Sequence, residues 1–401
     1  MKYVVVLGDG MADEPVKELG GKTPLEYADT PVMDRLASMG QMGLAYTIPE
    51  GMSPGSDTAN LSVLGYDPRK YYTGRSPLEA LSIGVDMEET DVALRANLVT
   101  LSEEGAYGEK VILDHSAGEI STREAEILLD AVRRELENDT FRLYTGTSYR
   151  HCLIWKNGRT EELTAPHDIL EKPVGPYLPV REELLRMQER SYEILSAHPL
   201  NLERKSRGLN PANSLWFWGA GTRPALDSFQ GKFGKKGVMI SAVDLLKGIA
   251  VGAGLTNVIV EGANGGLHTN YEGKAQAAVD ALTKKGYDFA YIHVEAPDEM
   301  GHQGSTERKV QSIRYLDGRL IRPLTEGLEA SGEDYRLLVM PDHPTPIRLR
   351  THTADPVPWL LYDSTRRERH TWTYCEAEAA RTGCVFLRGH ELMAHLLKKE
   401  I

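Results

Sequence analysis

The apolar pattern opens with Tyr3 to Leu7, a continuous β-branched run ending in Gly8-Asp9-Gly10. A run without alternation predicts a strand buried on both faces, as in a parallel sheet. A helical stretch follows near Met33 to Met39. The breaker pair Pro54-Gly55 then leads into Ala59, Leu61, Val63 and Leu64, the apolar spacing of a buried helix start. Ser56 sits at that junction, where an N-cap is the ordinary role of a serine and where unpaired N–H groups favour a phosphate.

From about Asp86 the character changes. Val92 to Thr100 reads as a strand, with a hairpin-like turn at Ser102 to Gly105. Ser121-Thr-Arg-Glu124 is a capping-box pattern, and it opens a helix with Ala125, Leu128, Leu129, Val132 and Leu136 on one stripe. Phe141 to Tyr144 and His151 to Trp155 read as strands, and Arg181 to His198 as a helix. Past Asn210 strands and helices alternate again. Val238 to Ala242, Asn257 to Val260, Asp288 to Val294, Tyr335 to Met340 and Trp359 to Tyr362 are candidate strands, with helices at Gly273 to Lys284 and Lys309 to Leu328. The pattern predicts an α/β fold: a mainly parallel sheet flanked by helices, with a smaller inserted α+β domain. The expected boundaries are 1–88 with 210–401 for the discontinuous larger domain and 89–209 for the insertion.

Composition narrows the class. The 401 residues exceed one ordinary core, and 41% hydrophobic with 26% charged is the balance of a globular protein. The formal net charge of −12 argues against nucleic acid or an anionic membrane as a bulk partner, while leaving room for a small phosphorylated substrate. No apolar run is long enough to span a membrane. Met1 leads directly into the first strand, which predicts no signal peptide. Three cysteines, Cys152, Cys375 and Cys384, have no metal-type spacing and read as reduced thiols of a cytoplasmic protein. Nothing in the chain indicates an oligomeric state.

The chemistry gathers after the predicted strands. Asp9 follows the first strand. Asp298 and His302 follow the strand ending near Val294, and Asp342 and His343 follow the one ending at Met340. His352 lies a short loop further on. Open α/β sheets bind ligands at this edge. Asp and His together suit manganese, zinc or a related divalent ion, and the set is large enough for two. Two such ions can clamp the attacking and leaving oxygens of a phosphoryl displacement, and a serine ligand becomes a nucleophile. This raises Ser56 above a simple cap. Arg75, close after it, could grip a phosphate as a fork.

These residues also carry a resemblance. The segments Asp9-Gly-Met-Ala-Asp13, Gly21-Lys-Thr-Pro-Leu25, Pro54-Gly-Ser-Asp-Thr-Ala59, Leu64-Gly-Tyr-Asp-Pro68, Gly74-Arg75, Ser148-Tyr-Arg-His151, Asp298 with His302, Asp342-His343, and His352 with Asp355-Pro-Val-Pro358 stand in family order and spacing. Over essentially its whole length the chain resembles the archaeal-type cofactor-independent phosphoglycerate mutases of the alkaline phosphatase superfamily. The resemblance implies a glycolytic isomerase that interconverts 3- and 2-phosphoglycerate through a phosphoserine at Ser56. It implies one metal on Asp9, Ser56, Asp342 and His343 and another on Asp298, His302 and His352, with manganese expected and zinc, magnesium or cobalt as alternatives. It places Arg150 and His151 with the glycerate in the inserted domain and Arg75 with the phosphate. Asp114, in Leu113-Asp-His-Ser-Ala-Gly118, matches more weakly. His151 or Asp114 would handle the glycerate proton, and Lys247 or Lys236 would bind phosphate.

One position departs from the pattern. Asn60 stands where members with mutase character tend to have His, and a branch with Asn there resembles proteins proposed as homoserine kinases. Asparagine cannot act as acid or base. A kinase of the same fold and a phosphomonoesterase therefore stand beside the mutase. No nucleotide-binding fingerprint is visible.

Overall fold

The computed structural model describes residues 1–366 and 368–398. Its strands in chain order are β1 (Lys2–Gly8), β2 (Gln41–Ala45), β3 (Val92–Leu101), β4 (Ile112–Asp114), β5 (Phe141–Thr147), β6 (Arg150–Trp155), β7 (Ser214–Thr222), β8 (Gly237–Ile240), β9 (Thr256–Asn257), β10 (Phe289–Val294), β11 (Tyr335–Met340), β12 (Val357–Asp363) and β13 (Val385–Phe386). They form two sheets in two compact units, Met1–Tyr72 with Leu226–Ile401, and Thr73–Ala225.

The first unit holds an eight-stranded sheet in the order β13-β2-β12-β11-β1-β10-β8-β9. The run β11-β1-β10-β8-β9 is parallel, and β12 is antiparallel to both its neighbours. The apolar run of β1 is buried throughout because helices cover both faces. On one face Val4, Val6, Ile292, Val294, Leu337 and Val339 pack against Met33 and Leu36 of helix Pro31–Met39 and against Leu324 and Leu328 of helix Arg322–Ser331. The long helical stretch expected over 309–328 begins at Thr306 and contains one π-turn, Leu316–Ile321. That turn carries buried Asp317, whose carboxylate accepts from the N–H groups of Val32 and Met33 and so satisfies the start of helix Pro31–Met39. The strand expected over Asn257 to Val260 is only the two residues of β9. Strands β2, β4, β7 and β13 were not among the expected strands.

The second unit is an antiparallel sheet in the order β4-β3-β6-β5, with β7 on the other side of β3. The helix Thr122–Leu136 packs its Leu128, Leu129 and Val132 into that unit's core, and Ser121 Oγ accepts from the N–H of Glu124 at its start. The unit is wider than the 89–209 expected. β7 pairs along nearly the whole of β3, and the helix Arg75–Ser82 packs its buried Ala80 with Ala93 and Ile154. Sequence-local pattern cannot reveal either attachment, since both depend on distant partners.

Candidate active site

Parallel pairing places the ends of β10, β1 and β11 side by side. Asp9 leaves the end of β1, Asp298 lies in helix Ala296–His302 just after β10, and Asp342 and His343 follow β11. All four are buried. The chain must pass very close to itself here. Gly10 has φ +59°, and a Cβ at this position would lie 2.6 Å from Asp298 Oδ1. Glycine alone permits that conformation and that approach.

Two groups of donor atoms converge. Asp9, Asp342 and His343 form one, and Asp298, His343 and His352 the other, with the ligand atoms of each group within 4.8 Å of one another. His343 is common to both. His302 joins the second group, with Nε2 at 3.0 Å from His352 Nε2 and 3.2 Å from Asp298 Oδ2. Its Nδ1 lies 2.9 Å from the carbonyl oxygen of Arg350. A carbonyl only accepts, so Nδ1 carries a hydrogen and Nε2 is the nitrogen turned to Asp298, donating to it when the ring is protonated.

The electrostatics fit a cation. Asp9 Oδ1 is buried and has no hydrogen-bond partner among the described residues, and it lies 3.5 Å from His343 Nε2. Burial, and then the charges of Asp342, Asp298 and Glu295, hold the Asp9 carboxyl well above its usual range. A divalent ion would relieve that repulsion. Burial also opposes ionisation of Asp298, but hydrogen bonds from His302 and His352 outweigh it and hold that carboxyl well below the usual range. The same Asp298 bond raises His302 to about 9.

Ser56 is the first residue of helix Ser56–Val63, and Gly55 takes the cap position, so the cap reading of Ser56 does not hold. Its hydroxyl is turned to His343 instead, with Oγ 3.1 Å from Nε2. His343 Nδ1 lies 3.3 Å from the Pro344 carbonyl, which leaves Nε2 as the acceptor for the serine hydrogen. The N-terminal turn of the helix meets the hydroxyl where a bound anion is favoured.

Several supporting residues carried no signal that isolated them. His293 and Tyr291 share a face of β10, two residues apart. His293 Nε2 lies 2.8 Å from Asp9 Oδ2 and its Nδ1 3.2 Å from Ser241 Oγ. An ionised Asp9 carboxylate only accepts, so Nε2–H donates to it, and the Nδ1 lone pair of the neutral ring is left to accept from the Ser241 hydroxyl. Lys274 Nζ donates to the His293 carbonyl at 2.8 Å, and burial lowers its pKa to about 8. Thr345 Oγ1 donates to Asp298 Oδ1 at 2.5 Å. Polar tips inside a strand buried on both faces were the one available clue to Tyr291 and His293.

Other expected residues are not members of these two donor groups. Lys236 precedes β8 at the opposite edge of the sheet, its ammonium 4.7 Å above the Tyr287 ring, so it is not at this site. Lys247 is in the first turns of helix Asp244–Gly252, after the C-terminal end of β8, and pairs with Asp244 at 3.0 Å. Arg75 belongs to the second unit, where it pairs with Glu79 at 2.9 Å. In that unit Asp114 accepts from the N–H groups of Ser116 and Gly118, the Ser116 hydroxyl and Asn210 Nδ2. Burial raises the Asp114 pKa, but these bonds outweigh it and the net shift is downward. A carboxylate held ionised in this way is not a proton donor. Arg150 is exposed beside the Tyr149 ring. His151 is 4% exposed, accepts from the N–H of Gly146, and is lowered to about 3 by burial and then by the Arg133 charge. It is a neutral, enclosed imidazole whose Nε2 has no hydrogen-bond partner among the described residues.

Comparison with known proteins supplies the lineage. The family model described as 2,3-bisphosphoglycerate-independent phosphoglycerate mutase matches residues 37–201. A Geobacter sulfurreducens protein named as a probable enzyme of that kind is 48% identical over 404 residues, covering 100% of both chains. A Methanosarcina acetivorans protein named 2,3-bisphosphoglycerate-independent phosphoglycerate mutase is 48% identical and covers 99% of this chain and 100% of its own. Among solved structures, a Pyrococcus horikoshii protein is 31% identical with a TM-score of 0.82, covering 100% of this chain and 98% of its own. The cofactor-independent phosphoglycerate mutase of Thermoplasma acidophilum is 28% identical with a TM-score of 0.65, covering 99% of each. The chain belongs to the 2,3-bisphosphoglycerate-independent phosphoglycerate mutase family.

Proposed function

We propose that this protein is a metal-dependent phosphoglycerate mutase that interconverts 3- and 2-phosphoglycerate through a phosphoserine at Ser56. The observation that carries the reading is the Ser56 hydroxyl, 3.1 Å from His343 Nε2 at a helix N-terminus and beside the two converging donor groups. Relatives of this length, named as mutases, support it over the kinase alternative. Asn60 does not count against it: its amide is engaged in hydrogen bonds with the Ser56 carbonyl, Asp342 and Tyr291, an arrangement that serves either substrate.

Asp9, Asp342, His343 and Ser56 would hold one divalent ion, and Asp298, His302 and His352 the other, manganese being the best chemical match for this Asp/His set. When bound, the ions supply charge neutralisation for the transferring phosphoryl group and lower the cost of ionising the serine. Ser56 Oγ attacks phosphorus, its O–H bond breaks, and the bond from phosphorus to the glycerate 3-oxygen breaks as that oxygen regains a proton. The glycerate 2-oxygen then attacks the phosphoserine, gives up its own proton, and returns Ser56 to the hydroxyl form. His293 and Thr345 hold Asp9 and Asp298 in place throughout.

The test is a coupled assay on manganese-loaded protein, with 3-phosphoglycerate and no 2,3-bisphosphoglycerate. Formation of 2-phosphoglycerate, blocked by chelator and absent in Ser56→Ala, is expected. Full turnover in Ser56→Ala would end the nucleophile assignment. Inactivity on phosphoglycerate with phosphohomoserine formed from homoserine and ATP would move the substrate to the kinase branch.

A further inference from the structure

We infer that Asn60 is a positioning residue. Locked by the Tyr291 hydroxyl, its amide ties the Ser56 turn to the Asp342 carboxylate and fixes the nucleophile and the metal ligand relative to each other. The inference rests on the reading of Asp342 as a ligand and Ser56 as the phosphoryl acceptor.

Asn60 lies four residues after Ser56 on the same helix, so its side chain points back along the helix toward Ser56. It is wholly buried. Its Nδ2 donates to the Ser56 carbonyl at 2.8 Å and to Asp342 Oδ2 at 2.9 Å. Its Oδ1 accepts from Tyr291 Oη at 2.6 Å. The partners leave one amide orientation. A carbonyl and a carboxylate can only accept, so a flipped amide would set its oxygen against two acceptors and its NH₂ against a phenol. Asp342 Oδ1 meanwhile accepts from the N–H groups of Gly10 and His343 at 3.0 and 2.9 Å. Three N–H bonds thus hold the carboxylate plane, and Asn60 is the one that comes from the nucleophile's helix. An amide does this without adding charge to a site that already buries Asp9, Asp298 and Asp342. Tyr291 reaches Asn60 across 231 residues of sequence from β10, the strand that also supplies His293 to Asp9. One strand therefore backs both carboxylates of the first donor group.

The test is Mn(II) binding to metal-stripped protein without substrate, read from the free-ion EPR signal, for Asn60→Ala, Tyr291→Phe and the double variant. Each single change is expected to weaken binding about 10- to 100-fold, the usual effect of removing a residue that orients a ligand. The double variant should bind no more weakly than Asn60→Ala alone, because Tyr291 acts through Asn60. Tyr374→Phe removes another buried hydroxyl, one that meets the Pro358 and Val339 carbonyls at 2.8 and 3.2 Å and bonds to none of the candidate ligand side chains, and should leave Mn(II) affinity within about twofold. Wild-type affinity in folded Tyr291→Phe, or full additivity in the double variant, overturns the inference. If a variant does not fold, ¹⁵N-asparagine-labelled wild type replaces it. Titration with Zn(II) should shift the Asn60 side-chain NH₂ resonances, and unmoved resonances overturn the inference. None of these readouts depends on the substrate, so loss of the mutase reading and loss of this one are distinguishable.

Discussion

Acidification should strike the second unit through His151. The imidazole is 4% exposed and titrates near 3 in the folded chain, against about 6.5 in an unfolded one. Between those values the unfolded chain binds a proton that the folded chain refuses. Stability from this group is therefore fully present above about pH 6.5 and is lost as pH falls. At pH 4.5 the gap is about two pH units, which at about 1.4 kcal/mol per unit is a loss of about 3 kcal/mol relative to neutral pH. In His151→Gln this contribution is absent. Hydrogen exchange of peptides spanning Phe141–Trp155, corrected for intrinsic pH dependence, reports the opening free energy of the β5–β6 hairpin. The wild type should lose about 3 kcal/mol more than His151→Gln between pH 7 and pH 4.5. Parallel losses in the two proteins would refute the buried, neutral assignment.

Two further outcomes follow from close packing at the site. Gly10→Ala forces a side chain into φ +59° and against Thr345 Oγ1 and the Asp298 backbone. It should destabilise the first unit by about 2–5 kcal/mol from left-handed backbone cost and overpacking together, and a melting temperature within about 1 °C of wild type, where a loss of even 1 kcal/mol moves it by about 2–4 °C, would contradict this. Lys309, fully buried, donates to Asp13 Oδ2 at 2.7 Å and to the Thr345 and Ala12 carbonyls at 2.8 and 3.3 Å. Lys309→Met leaves the Asp13 carboxylate to the N–H groups of Glu14 and Ile347, without a counter-charge, and should cost about 3–5 kcal/mol in chemical denaturation. Adding Asp13→Asn, which removes the charge and keeps an acceptor for those N–H groups, should recover part of that loss, and a double variant less stable than Lys309→Met would contradict the account.

Much of the site was legible because its chemistry sits at strand ends. The unbroken apolar run Tyr3–Leu7 announces a strand buried on both faces, and so places Asp9 at its end. The same reasoning found Asp298 and Asp342 after β10 and β11. Local sequence encodes burial and periodicity, and these suffice for the elements and for the kind of fold. It does not encode partners. That β10, β1 and β11 are neighbours, which brings Asp9, Asp298 and Asp342 together, follows from long-range pairing alone. The tertiary structure likewise decided that β7 completes the second sheet, that Arg75 belongs with it, and that Lys236 stands at the far edge of the first. It also changed the meaning of Asn60. Within its own segment the residue is an asparagine on an apolar helix, unable to move a proton. Packed against Tyr291 and Asp342 it becomes a fixed donor, because a buried amide must find partners and only the fold determines which partners are within reach.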